Sequence, residues 1–145
     1  MPFVIRLLSR TDAGILDQVA PGVFDHAVIP SSLREFLEDA RHHLVVAIDL
    51  DVVVGMASAV HYVHPDKPNE LWINEVAVAP SHQRQGIGTA LVQALLGLAR
   101  QLGCREAWVL TDRENTAARR LYTTCGALAP GQETLMYTFP LDGVH

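Results

Sequence analysis

Lysine is almost missing from this 145-residue chain: Lys67 is the only one, and the other ten basic residues are arginines. With 16 acids against 11 bases, the formal net charge is −5. Such a chain is a poor partner for nucleic acid, whose affinity rests on phosphate contacts. Cysteine is scarce too. Cys104 and Cys125 lack the Cys-x-x-Cys spacing, which argues against a redox pair; a chain of this length needs no disulfides, and the two read as buried or free thiols of a reducing cytoplasm. No apolar run approaches the ~20 residues of a membrane span. No segment reads as a signal peptide. Repeats, low-complexity tracts and linkers are likewise missing, so residues 1–145 are expected to form one soluble domain, burying about two thirds of its unfolded surface.

The charge is unevenly spread. Residues 1–75 hold 11 acids and 5 bases, whereas residues 76–145 hold 5 acids and 6 bases. A cationic ligand is expected on the first half and an anionic one on the second.

Residues 76–91 carry the most chemistry. Val76 and Val78 are strand formers, Pro80 ends the ladder for want of an N–H, and Gly86 and Gly88 flank the start of a helix striped by Ile87, Leu91, Leu95, Leu98 and Leu102. A helix entered from such a loop aims free N–H groups and a positive dipole end at an anion. A Walker loop is excluded because no lysine follows the glycines, and a dinucleotide fingerprint lacks its third glycine, Leu91 standing there. Gln83-x-x-Gly86-x-Gly88 fits a third pattern, Gln/Arg-x-x-Gly-x-Gly/Ala after a strand. A plain strand-to-helix turn with packing glycines is the bland alternative.

Period and punctuation predict the rest. Strands are expected over 3–8, 44–48, 52–62, 71–78, 107–110 and 135–139, with a hairpin at Asp49-Leu50-Asp51. Helices are expected over 12–19, from Pro30 with Ser32 and Glu35 as a capping box, from Ile87 to Leu102, and over 115–124. This order describes an α/β (α+β) fold: a mixed central sheet of about six to seven strands with helices on both faces.

The Gln83–Thr89 loop resembles the pyrophosphate-binding motif of the GCN5-related N-acetyltransferases. A second segment, Asn115-x-x-Ala118-x-x-x-Tyr122 followed by Gly126, is similar to that family's other signature. The resemblance covers nearly the whole chain and implies a single acetyltransferase domain that uses acetyl-CoA. By analogy, the cofactor site comprises Val76, Ala77, Val78, Gln83, Arg84, Gln85, Gly86, Ile87, Gly88, Thr89, Asn115, Ala118 and Tyr122, with Asn115 on the pantetheine arm and Tyr122 beside the sulfur. The ordinary alternative for Tyr122 is core packing.

Acetyl transfer needs a neutral amine, so a carboxylate is required to take its proton. Glu75 is the choice. Alternation places it on one strand face with Leu71, Ile73 and Ala77, where a charge is costly without a partner such as Arg113 or a task. Tyr122 is the expected acid for the departing thiolate, and a backbone N–H around residues 76–78 would meet the oxyanion.

Residues 44–78, with Tyr62-x-x-Pro65 and an acid directly before Val-Ala-Val, look like the small aminoglycoside 3-N-acetyltransferases. The chain departs from them at Trp72 and Asn74, where they carry tyrosines, and at Glu75, where they carry Asp. The likeness implies a polycationic acceptor held by Asp25, His26, Glu35, Glu70, Trp72 and Glu75, and a homodimer is a further expectation. His26 has a surface role as its alternative. No histidine pair has the spacing of a metal face, so no metal is expected. The rival functions are acetylation of a polyamine, other small amine or protein amine, and a non-catalytic acyl-CoA-binding module, which retention of both Glu75 and Tyr122 argues against.

Overall fold

The computed structural model describes residues 2–128 and 131–143. Five strands, β1 (Val4–Leu7), β2 (His42–Asp49), β3 (Val52–Tyr62), β4 (Glu70–Val78) and β5 (Glu106–Val109), form one sheet in the order β1-β2-β3-β4-β5. Every neighbouring pair is antiparallel except β4 with β5. Three helices accompany it: α1 (Pro30–Glu38), α2 (Ile87–Gln101) and α3 (Thr116–Thr124). The mixed sheet between helices is the fold class expected, with five strands among the described residues.

β2 and β3 are continuous apolar runs because both of their faces are covered. Val45, Val46, Ala47, Val53, Met56 and Ala57 are each no more than 1% exposed. On one face α2 lies against the strands. A Cβ built on Gly55 would stand 3.0 Å from Ile87 and 3.2 Å from Leu91, so the glycine sets how closely helix and sheet approach. On the other face, Leu33 and Phe36 of α1 meet Leu44 and Met56 around a cavity. The hairpin between β2 and β3 turns on Leu50 (φ 50°) and Asp51 (φ 65°), both left-handed as a two-residue turn of the right twist needs.

Four expectations are corrected. The helix over 12–19 is only a 3₁₀ turn, Ala13–Asp17. Asp12 holds its N-cap position, but no side chain closes the turn, because the Asp12 carboxylate accepts from Ser9 N at 2.8 Å, Ser9 Oγ at 3.0 Å and Arg6 Nη2 at 2.8 Å. The capping box is not made either: Pro30 opens α1, which puts Ser32 inside the helix, and no side chain caps its start. Residues 135–139 form no strand, and Leu135, Tyr137 and Phe139 stand 74%, 79% and 83% exposed. The fourth concerns β4. Ser58 faces Glu75 while its neighbour Ala59 faces Ile73, which leaves Asn74 as the extra residue of a β-bulge. The side-chain phase flips there. Glu75 shares a face with Ser58, Met56 and Ala77, opposite the face of Leu71 and Ile73 that packs toward α2.

Adjacent histidines on β2 point to opposite faces, yet His43 meets His61 of β3, Nε2 to Nδ1 at 2.7 Å, with the rings stacked 5.0 Å apart. Burial, then the charges of His61 and His42, push His43 down to about 4. An unfolded histidine takes its proton near 6.5, so stability is complete above that pH and is lost as pH falls from about 6.5 toward 4. Urea midpoints at pH 7 and pH 4.5 should therefore lie closer together in His43→Gln than in the wild type.

Candidate functional site

β4 and β5 pair only from Glu70↔Glu106 to Ile73↔Val109. Beyond Ile73, residues 74–78 of β4 have no ladder on that side, and the two strands part. The loop at the end of β4 runs through the 3₁₀ turn Pro80–His82 into α2. Its geometry is held by His82, whose Nε2 lies 2.7 Å from Asp49 Oδ2 in the hairpin and whose Nδ1 lies 2.8 Å from Ser81 Oγ. Gln83 Nε2 donates to Val78 O at 3.4 Å. His82 thus braces the loop.

Arg84 (φ 64°) and Gly86 (φ 81°) are left-handed, and Gly86 caps α2 with no side chain closing the end. The first helical bond is Ala90 N to Gly86 O, which leaves the amides of Ile87, Gly88 and Thr89 without a partner among the described residues. The two glycines do different work. A Cβ on Gly86 would meet nothing within 4 Å and project into open space, whereas one on Gly88 would press on Leu121 of α3 at 3.4 Å. Three free amides, a positive dipole end and open space above them suit a pyrophosphate.

α3 forms the far wall. Asn115 caps it, its Oδ1 accepting from Ala118 N at 3.0 Å, so only the amide nitrogen of this side chain stays free for a ligand. Tyr122 is half-buried against the core. Burial, then Cys125, raises its phenol above the ordinary value, so it holds its proton at neutral pH.

The sheet face that carries Glu75 opens into a cavity of about 410 Å³. Asp25, His26, Asn74 and Glu75 supply its polar rim over Phe24, Val28, Phe36 and Met56. A smaller pocket of about 180 Å³ adjoins it through Ser32 and Phe36 and holds Glu35, Asp39 and His42. Glu75 is exposed and makes no ion pair among the described residues; Arg113, its expected partner, pairs with Glu133. Asn74, Ser58 and Phe24 were not named as site residues from the sequence, Asn74 standing there only as a departure from related enzymes. Polar residues inside the apolar strands β3 and β4 were the available signal for the first two.

Glu70 and Trp72 lie elsewhere. Glu70 is 6% exposed, and its carboxylate accepts from Tyr62 Oη at 3.0 Å and Arg105 Nε at 3.1 Å, with His64 Nε2 at 3.3 Å. Burial raises its pKa, but these hydrogen bonds and charges outweigh burial and hold it below the usual carboxylate range. That corrects its expected place among acceptor ligands: the charge is already neutralised inside the protein. Trp72 stacks on Trp108, centroids 5.6 Å apart, and does not line the cavity. Tyr122 does not line it either.

A parted pair of parallel strands, leading by a short loop into a helix whose first amides are free, defines a domain built for a diphosphate-bearing carrier. The chain belongs to the acetyltransferase (GNAT) family, whose model matches residues 15–127. Acetyl-CoA is accordingly the cosubstrate of this domain, and the free amides of α2 are the groups on this chain that fit its pyrophosphate. The chain is 29% identical over 100 residues to a streptothricin acetyltransferase of Streptomyces lavendulae, covering 69% of this chain and 52% of that protein. It is also 29% identical over 113 residues to the human N-acetyltransferase 8, covering 77% and 50%. The chain thus spans about half the length of these curated relatives. Among solved structures, it is similar to an aminoglycoside acetyltransferase from an uncultured soil metagenomic sample in complex with sisomicin, with a TM-score of 0.81, 20% identity and coverage of 95% and 96%. It is also similar to aminoglycoside N-acetyltransferase AAC(6')-Iy in complex with CoA, with a TM-score of 0.72, 24% identity and 94% of each chain covered. No helix among the described residues is long and apolar enough to cross a membrane, and no cluster of three or more metal-ligating side chains occurs among them.

Proposed function

We propose that this chain transfers acetyl from acetyl-CoA to a primary amine of a small polycationic molecule of the aminoglycoside class. The reading is carried by Glu75, which belongs at once to the parted stretch of β4 and to the cavity rimmed by Asp25 and His26. The cavity has the size of a small-molecule site, about 300 to 1,000 Å³, and its acids suit an amine-rich guest. Glu35, in the adjoining pocket, extends the acidic surface. The amine attacks directly within a ternary complex: Glu75 receives its proton, directly or through water, Tyr122 returns one to the thiolate, and no acetyl-enzyme forms. The cofactor runs from the α2 amides past Val76–Val78 to Asn115, Ala118 and Tyr122, with Gln83, Arg84 and Gln85 edging the loop. The chain works as a homodimer in the cytoplasm.

An amine panel assayed by free-thiol release tests this reading. Aminoglycosides should turn over, with nuclear magnetic resonance of the product reporting acetylation at the 3-N amine rather than the 6′-N amine. Turnover of peptides or monoamines alone would refute the substrate class, and coenzyme A binding with no turnover of any amine would point to a non-catalytic module. Raising salt should increase KM for the polycation more than for a neutral analogue, because the attraction is screened over roughly 10 Å at 0.1 M. Exposed pairs are worth about 0 to 1 kcal/mol each, so Asp25→Asn with Glu35→Gln should raise that KM roughly three- to tenfold and leave acetyl-CoA affinity alone.

A further inference from the structure

Three polar side chains stand together on the wall of the large cavity and bond neither to one another nor to anything else. Ser58, Asn74 and Glu75 all line it, and none makes a side-chain hydrogen bond or ion pair among the described residues. The β-bulge gathers them. Glu75 pairs with Ser58 and Ile73 with Ala59, so Asn74 is extra, and two consecutive residues of β4 face the cavity instead of opposite sides of the sheet. Ser58 sits between Ala57 and Ala59, which are 0% and 2% exposed. A half-buried hydroxyl in such an apolar strand costs stability unless water or a ligand pairs with it. Together the three offer a carboxylate, an amide carbonyl and a hydroxyl oxygen, all of them acceptors, beside the apolar wall of Phe24, Phe36 and Met56.

We propose that Ser58 and Asn74, with Glu75, seat the reacting nitrogen, and that this seat selects a primary amine over its N-methyl counterpart. The seat presupposes Glu75 as the base proposed above. A primary ammonium brings three N–H donors, one for each acceptor, while its carbon lies toward the apolar wall. Its first proton leaves through Glu75 to solvent. The neutral amine, with its lone pair turned to the thioester, then keeps two N–H groups, one on Glu75 and one on the Ser58 and Asn74 pair. As the N–C bond forms the C–S bond breaks, the sulfur's electron pair takes the Tyr122 proton, and the nitrogen's surplus proton passes to Glu75; solvent resets both side chains. An N-methyl amine has a single N–H at that stage. If it goes to Glu75, the methyl group lies against Ser58 and Asn74 and leaves them unpaired, at the cost of an unmade hydrogen bond.

The test compares the best primary amine of the panel with its N-methyl derivative. Wild-type kcat/KM should favour the primary amine at least ~100-fold, because a site built to hydrogen-bond a group rejects the analogue that lacks it. Ser58→Ala/Asn74→Ala should bring that ratio below about tenfold by lowering kcat/KM for the primary amine, with KM for acetyl-CoA and the circular dichroism spectrum unchanged. Asn74→Ala alone, at an exposed position, should already reduce the ratio several-fold, and Ser58→Thr, which keeps the hydroxyl, should preserve it. A wild type that does not discriminate between the two amines, or variants that keep its ratio while Glu75→Gln is slow, would overturn the seat alone. Wild-type kcat in Glu75→Gln, or no turnover of any amine, would overturn the base and the seat together.

Discussion

Tyr122→Phe is expected to lower kcat about a hundredfold or somewhat more, the usual scale for one positioned proton donor, with little change in KM for acetyl-CoA. The ring is retained, so its packing against the core survives and the hydroxyl alone is lost. A phenol is protonated at neutral pH and burial raises this one further, so what the variant removes is the proton it holds. Glu75→Gln should lose rate most at low pH, where the amine holds its proton hardest. Rapid-quench analysis should find no acetyl group on the enzyme in either variant. Wild-type kcat in both would remove these residues from the reaction.

The second large effect is expected at Gly86. Gly86→Val should weaken coenzyme A binding by about 10²-fold or more, close to 2.8 kcal/mol, measured by calorimetry. Nothing stands within 4 Å of the position its Cβ would take, so the new side chain displaces no protein atom. It meets two other obstacles. A β-branched residue resists the left-handed φ of 81°, which tilts the free amides, and its methyl groups project over the start of α2 where the pyrophosphate would sit. Far-ultraviolet circular dichroism should remain that of the folded protein, and Gly86→Ala should fall between the two. Unchanged affinity in Gly86→Val would remove the loop from the binding site.

Local patterns made much of this arrangement legible. The leucine stripe of α2, the glycines at its start and the hairpin at Asp49-Leu50-Asp51 are each decided within a few residues, and each appears in place. What stayed hidden depends on distant partners. Glu70 looks like a free acid in the sequence because Tyr62 lies eight residues away and Arg105 thirty-five, and only the β3–β4–β5 pairing brings them to its carboxylate. Asp25 and Glu75 share one cavity for the same reason. Residues 135–139 have the alternation of a strand, but a strand also needs an edge to bond to, and alternation alone does not supply one. Asn115 was assigned to the ligand, yet its carbonyl oxygen is occupied in capping α3.

In the ladder Asn74 is a spacer without a partner: Ile73 stands opposite Ala59 and Glu75 opposite Ser58, so a strand lacking Asn74 would join the same partners in an unbroken ladder and leave the carboxylate aimed at the cavity. What the extra residue contributes is a break and added twist in β4, and it falls directly after Ile73, where pairing with β5 stops. One surplus residue thus bends β4 at the point where the two parallel strands separate, and the opening between them is a property of strand length as much as of any side chain.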